Sequence, residues 1–247
     1  MKKKLNLALV GHTGFVGKNI FSMLEKKNFK ISKYNSKNSS SIYKKKYHSL
    51  IFAGLPATKW KINLNPKKDI KNIKKILQLL KTIKVDQFIL ISTIDIYNHK
   101  EPYGFNRLNF EKKISKIFNN LIIIRLPALF GPGLKKNIVF DLIHNNYLHA
   151  AHSRSILQFY NMKDLWRDIE ITLNNQIKLI NFNSEPIMIK DIAMNCFNMK
   201  FDNIPNSEPV FQNIKTLFAP LFGSKNNYMY QSNEIFKGIK EFVSLEK

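Results

Sequence analysis

The sequence predicts an α/β protein built around a doubly wound parallel sheet. Three observations point there. Short apolar runs alternate with stretches of helical period along the first half of the chain. Two of those runs, Phe88-Ile89-Leu90-Ile91 and Leu121-Ile122-Ile123-Ile124, are unbroken, as expected of strands covered on both faces. A turn holding three glycines joins the first strand to the first helix.

Taken in order, Leu5–Val10 reads as the first strand and Phe15 to about Lys27 as the first helix. Phe29–Tyr34 is a second strand, and the polar stretch Asn35–Ser41 after it is expected to be loop. Leu50–Ala53 makes a short third strand. Pro66–Lys84 carries Ile70, Ile73, Leu77, Leu80 and Ile83 at spacings of three and four with lysines between them, the pattern of an amphipathic helix. The two unbroken strands flank a helix over Tyr103–Phe118. Beyond Pro127 the pattern loosens. Helices are expected at Ile138–His144, Lys163–Leu173, Ile189–Phe197 and Asn233–Phe242, with strands near Leu157–Tyr160 and at Leu179–Phe182. No internal repeat is visible. Residues 1–130 are expected to form the sheet core, and 131–247 the late sheet elements with a small C-terminal lobe facing the substrate, as one structural unit.

The 247 residues carry 40 basic and 17 acidic side chains, a net charge of +23, and 44% of them are apolar. That apolar share excludes a chain disordered throughout, and no apolar stretch reaches the ~20 residues that cross a bilayer. The basic start, Met1–Lys4, precedes an apolar run too short for a signal segment, so a cytoplasmic address is expected. Only four basic residues are Arg (Arg107, Arg125, Arg154, Arg167), and the lysines are spread from end to end. A reader of nucleic-acid grooves concentrates Arg for bidentate contacts, so nucleic acid is not the expected partner. The excess charge instead draws anions, phosphorylated small molecules among them. The histidines lack metal spacing, with His144 and His149 five apart, and Cys196 reads as a small buried hydrophobe. No metal site is expected.

Gly11-His12-Thr13-Gly14-Phe15-Val16-Gly17 follows the first strand directly. Gly11 allows the tight turn, Gly14 lets backbone approach a pyrophosphate, and Gly17 lets the helix close on the strand. The helix amides and dipole are then aimed at the phosphates. This strand–turn–helix order belongs to a Rossmann-type sheet, so Gly11, Thr13, Gly14, Phe15, Val16 and Gly17 are expected to bind a dinucleotide. Ala53 and Gly54, at the end of the third strand, join that set. After the second strand an acid would take the adenosine ribose of NAD; here stand Asn35, Ser36 and Lys37, suited to a 2′-phosphate. NAD(P) is therefore the expected cofactor, with NADP favoured.

The GxxGxxG spacing resembles that of the short-chain dehydrogenase/reductase superfamily, in particular its extended branch of nucleotide-sugar epimerases, dehydratases and reductases. Ser92-Thr93-Ile94-Asp95-Ile96-Tyr97 is similar to the branch's S-[ST]-x-x-V-Y segment. Tyr103-Gly104-Phe105-Asn106-Arg107, with Glu111 following, is similar to its YGxSK…E helix. Arg125-Leu126-Pro127-Ala128-Leu129-Phe130-Gly131-Pro132-Gly133 resembles R-x-x-x-x-[YF]-G-P-G, and Phe159–Leu165 resembles a later hydrophobic-x-x-x-D-[LV] element. The matches run in family order over most of the chain.

The resemblance implies a site. Tyr103 is its acid/base, Thr93 the hydroxyl partner of the reacting oxygen, and Arg107 the stand-in for the Lys that holds the nicotinamide ribose. A cation one turn along is expected to pull the phenol from about 10 toward working pH. Arg keeps the charge of Lys but has no proton to pass. Asn106 replaces the usual Ser, and the link from Thr93 to Tyr103 is short for the branch. The resemblance further implies hydride transfer on a nucleotide sugar or a related small carbonyl or alcohol, by reduction or epimerisation, and a homodimer. Leu157 falls where sugar-nucleotide binders place an Arg; Arg154, Lys135 and Lys136 are other phosphate contacts to weigh, and Trp166 reads as core. The rival reading is a catalytically silent NAD(P)-binding sensor or regulatory module, favoured by Arg107, the short link and the small C-terminal part. A third is RNA binding by the basic surface.

Overall fold

Strand β1 (Leu5–Val10) buries Leu7, Ala8 and Leu9, and pairs in parallel with β2 (Phe29–Tyr34) on one side and β3 (Lys46–Phe52) on the other. The computed structural model describes residues 5–27, 29–98 and 100–246; the basic start Met1–Lys4 lies outside them. Beyond β3 the sheet continues through β4 (Lys84–Thr93), β5 (Leu121–Leu126) and β9 (Leu179–Asn181), in the order β2-β1-β3-β4-β5-β9. β3 and β4 are parallel as well. The winding therefore reverses between β1 and β3, and a doubly wound sheet opens a crevice at the carboxyl ends of the strands beside such a reversal. The doubly wound α/β sheet expected from the sequence is the sheet observed.

Helices α1 (Phe15–Leu24), α2 (Lys59–Leu64), α3 (Pro66–Leu80) and α4 (Pro102–Ile114) belong to the same half of the chain. α3 begins where the Asn65 side chain accepts a hydrogen bond from the Lys68 amide, with Pro66 in the first turn, a start built from a cap and a ring that needs no donor. Its inward stripe is Asp69, Ile73, Leu77 and Leu80. The aromatic rings of Phe52, Phe88, Phe110 and Phe118 fill the core, with Phe88 and Phe118 stacked at 4.3 Å between centroids.

The described residues up to Arg125, with Leu173–Ile180, form one compact unit; Leu126–Thr172 and the residues from Asn181 onward form a second. In the second, β6 (Ala128–Phe130) pairs in parallel with β8 (Phe159–Asn161), and β7 (Ile156–Leu157) antiparallel with β10 (Ile187–Met188). Helices α5 (Ile138–His144), α6 (Leu165–Asn174), α7 (Ile189–Phe197) and α8 (Ser232–Glu246) complete the chain. Gln158, fully buried, donates to the carbonyls of Ser184 and Ile214 and accepts from the Ile214 amide at 2.7 Å. Asp168, also fully buried, accepts from the Tyr160 hydroxyl at 2.7 Å, the Tyr230 hydroxyl at 2.5 Å and Arg167 Nε at 3.0 Å. Burial pushes its carboxyl up while these donors hold it down, and burial prevails.

Several boundaries differ from expectation for identifiable reasons. β3 starts four residues early, at Lys46, because Tyr47 is buried while its neighbours Lys46 and His48 face solvent, an alternation that a search for unbroken apolar runs passes over. The expected loop at 35–41 ends in a 3-10 turn, Ser39–Ile42, that buries Ile42. The helix expected to Phe118 stops at Ile114. The strand expected near 157–160 is two short strands with different partners. α2 carries its apolar residues Trp60, Ile62 and Leu64 at a spacing of two, which signals no helix, and lies outside the expected elements. Trp166 is core, at 6% exposure, but Cys196 is only half-buried, its thiol pushed up to about 11 by burial and donating to the Phe236 carbonyl. No helix among the described residues is long and apolar enough to cross a membrane.

Phe88→Ala removes a ring that touches nothing but protein, and urea unfolding is expected to register a loss of about 3–5 kcal/mol.

Candidate functional site

The carboxyl ends of β1, β2, β3 and β4 share one edge of the sheet, and each carries a segment singled out by the sequence. The Gly11 amide donates to the Tyr34 carbonyl at 2.8 Å, and the Ala53 amide to the Val10 carbonyl at 2.9 Å, so three strand ends are tied at the point where the winding reverses. Gly11 has φ +90°, and a Cβ there would lie 2.3 Å from the Ala53 carbonyl oxygen. A Cβ on Gly17 would lie 2.1 Å from the Gly11 carbonyl oxygen. Both glycines are demanded by the chain itself.

Gly14 is different. Its φ is −77°, open to any residue, and a Cβ would meet only the Gly11 carbonyl oxygen, at 3.4 Å. Gly14 is exposed, it is the N-cap of α1, no side chain caps the helix, and its first turn holds no acid. The folded chain has no need of glycine here; what the missing Cβ provides is open space over uncompensated amides. That donor set fits a phosphate. Thr13 lies exposed beside it, Phe15 and Val16 are half-buried in the first turn, and Ala53 and Gly54 follow β3 within the tie just described.

After β2, Asn35 folds its own turn: its Oδ1 accepts from the Lys37 amide at 2.8 Å while its amide donates to Asn38 Oδ1 at 2.7 Å. Ser36 and Lys37 are exposed, and no carboxylate stands between Tyr34 and Ser41.

Thr93 ends β4. Its hydroxyl donates to Asp95 Oδ2 at 2.9 Å and accepts from the Asp95 amide at 3.1 Å. The other carboxylate oxygen of Asp95 pairs with Lys59 of α2 at 3.1 Å, and Lys59 also pairs with Glu101 at 3.0 Å. Burial works against the Lys59 ammonium, but the two acids outweigh it and raise its pKa. Asn63 completes the cluster, donating to Glu101 and accepting from the Tyr103 amide at 2.9 Å.

Tyr103 and Arg107 sit one turn apart on α4, the guanidinium carbon 4.7 Å from the centre of the phenol ring. Arg107 is 3% exposed. Its Nη1 donates to Asp69 Oδ2 at 2.9 Å, and its Nη2 to Asp69 Oδ1 at 3.2 Å and to the Pro56 carbonyl at 2.6 Å. Asn106 donates to the same Asp69 carboxylate at 2.9 Å. The cation does draw the phenol down, but the expected net shift toward working pH is corrected here. Burial raises the Tyr103 pKa, Arg107 lowers it, Asp95 and Asp69 raise it again, and the net direction is upward.

Further along α4, Glu111 accepts from Ser92 at 2.5 Å and from Arg125 Nη2 at 2.6 Å, while Arg125 Nη1 donates to the Tyr97 hydroxyl at 2.9 Å. Four residues from three separate sequence motifs thus meet in one polar network. Asp69, Lys59, Asn63 and Glu101 were not anticipated. Asp69 had a signal: it is an acid four residues before Ile73, on the apolar stripe of a lysine-rich helix.

No protein-family model matches the chain, and no curated protein matches it. Solved structures do. A dTDP-4-dehydrorhamnose reductase from Yersinia enterocolitica superposes with a TM-score of 0.75 at 17% identity, covering 98% of this chain and 99% of its own. An NAD-dependent NDP-hexosamine 5,6-dehydratase of tunicamycin biosynthesis gives 0.79 at 13% identity, with 98% and 97% covered. A dTDP-4-dehydrorhamnose reductase from Bacillus anthracis, in complex with NADP, gives 0.73 at 14% identity over 100% of both chains. The chain shares the fold of these reductases and of the dehydratase. Within that fold the glycine turn is separable from the rest by substitution. Gly14→Ala is expected to unfold within about 1 kcal/mol of the parent chain, and Gly17→Ala to lose several times that, as thermal melts would show.

Proposed function

We propose that the chain is an NAD(P)-dependent enzyme, a reductase or epimerase acting on a nucleotide sugar or a related small carbonyl or alcohol, with Tyr103 as its proton-carrying group. The observation that carries this reading is the space at Gly14, a cradle over open helix amides that packing alone does not require. The amides of the first turn of α1 would hold the pyrophosphate. Asn35, Ser36 and Lys37 support NADP over NAD, since an adenosine 2′-phosphate meets donors and a cation there and no repelling carboxylate. The named substrates of the superposed reductase and dehydratase, both nucleotide-linked, support the substrate class.

A bound nicotinamide supplies or accepts the hydride. The chain's own residues would orient the reacting oxygen and handle the proton. Tyr103, buried and still protonated at neutral pH, suits donation. Thr93 would have to turn its hydroxyl away from Asp95 to reach a substrate oxygen. Arg107 would act on Tyr103 through its charge, since two of its nitrogens are engaged by Asp69 and Pro56.

That engagement of Arg107 also favours the second reading, a silent NAD(P)-binding module. Tyr103→Phe separates the two. With a nucleotide-sugar substrate set and NADPH, turnover is expected to fall by at least about a hundredfold, while NADPH affinity, read by nicotinamide fluorescence, stays within about threefold of the parent chain. Equal turnover in both proteins sinks the assignment of Tyr103. Gly14→Ala is expected to do the reverse, weakening NADPH binding by about tenfold or more in a chain that still folds.

A further inference from the structure

Asp69 is 5% exposed, Arg107 3%, and nothing but protein surrounds the fork they form between α3 and α4. A planar guanidinium facing a carboxylate through two parallel donors is the strongest pairing these groups can make. Asn106 adds a third donor to the acid, and Pro56 an acceptor to the base. The fork lies against the ring of Tyr103. A lone buried cation at that distance would favour the phenolate. A cation already paired presents the phenol with a dipole instead, and the field of a dipole falls off faster than that of a charge.

We propose that Asp69 is a positioning residue that acts through Arg107: by pairing with the guanidinium it blunts the cation's pull on Tyr103, so that the phenol keeps its proton and enters the reaction as an acid. Burial is the largest influence on Tyr103 and favours the protonated phenol; among the charged groups around it Arg107 acts most strongly, lowering the pKa by its charge and by a hydrogen bond, followed by Asp95 and then Asp69, which raise it. Arg107 on its own helix is the cation at the ring. Asp69 on α3 and Asp95 after β4 are the acids, and Lys59 on α2 is held by Asp95 and Glu101. An acid at this place suits reduction of a carbonyl. The phenol proton passes to the carbonyl oxygen as a hydride from NADPH reaches the carbon. The products are an alcohol and NADP+, and the phenolate recovers its proton from water.

The proposal rests on the reading of Tyr103 as the proton-carrying group, and the two fail separately, because its test needs neither substrate nor cofactor. The full chain is labelled with 13C at the tyrosine Cζ, and the Tyr103 resonance is assigned by its loss in Tyr103→Phe. In the parent chain this resonance is expected to titrate above about 10. In Asp69→Asn it is expected to titrate at least about one unit lower, with tenfold more phenolate at a given pH. Asp69→Glu, which keeps the charge, is expected to restore the parent value. A titration unmoved in Asp69→Asn overturns the proposal. Should that variant not fold, Asp69→Asn combined with Arg107→Gln removes both charges and keeps both shapes. Loss of a blunted cation then raises the Tyr103 titration by less than about one unit, whereas loss of an unopposed one raises it by more. The larger rise overturns the proposal.

Discussion

Helix α4, which carries Tyr103 and Arg107, is gripped by two buried guanidinium–carboxylate pairs, and the setting of those two side chains follows from that grip. On one side Arg107 reaches Asp69 of α3; on the other Glu111 receives Arg125 of β5. Most helices lying on a sheet are held by an apolar stripe, but the buried face of α4 mixes Phe110 and Ile114 with Asn106, Arg107 and Glu111. Burying such pairs is costly in desolvation, and an apolar replacement of equal volume often matches them in stability. What ion pairs add is register. A helix resting on Phe110 and Ile114 alone tolerates a shift of an ångström, whereas a two-pronged fork loses its hydrogen bonds if it slides that far. Tyr103 lies one turn from the first fork, and its amide is tied to Asn63. Tyr103 is therefore held by hydrogen bonding and by the neighbouring ion pair as well as by its own burial.

The glycine turn shows a different economy. Gly11 and Gly17 are fixed by the chain's own oxygens, so their presence says only that a strand and a helix approach closely. Gly14 has no such excuse. A glycine whose Cβ position is open, on a helix start without a cap, is one the fold can do without. The space it leaves lies open over the first turn of α1.

Much of this was legible in the sequence. The succession of strands and helices in the first half follows from alternating apolar runs, and the ends of α5 and α7 and of β2 fall where the pattern puts them. Gly11, Gly14 and Gly17 were readable from their fixed spacing after a strand, although only Gly11 and Gly17 answer a steric demand of the chain itself. The motif residues Ser92, Tyr97, Glu111 and Arg125 were readable as a family pattern, though nothing in their spacing says that they meet. What the sequence hid is long-range. Lys59 meets Asp95 across 36 positions and Arg107 meets Asp69 across 38, and a one-dimensional pattern carries no term for such pairs. The sign of the Tyr103 shift is set first by burial, which only the packed fold decides, and then by partners distant in sequence. Adjacency on a helix gave the cation, but the opposing acids come from α3 and from the turn after β4.

Positions 106 and 107, where the pattern the chain resembles has Ser and Lys, are tied into one set by a shared partner. A lysine at 107 would carry its charge as a compact ammonium with rotatable donors and would ask for no fixed partner. An arginine presents a rigid plane, and once buried beside a phenol it needs a carboxylate in that plane. Asp69 supplies it from a helix face that is otherwise apolar. Asn106, where the pattern has Ser, is long enough to reach the same carboxylate and brings a donor to it. Three residues from two helices are thus matched to one another. Lysine at 107 by itself would leave Asp69 and Asn106 facing a smaller cation that cannot fill their geometry, so the surroundings of Tyr103 depend on the set.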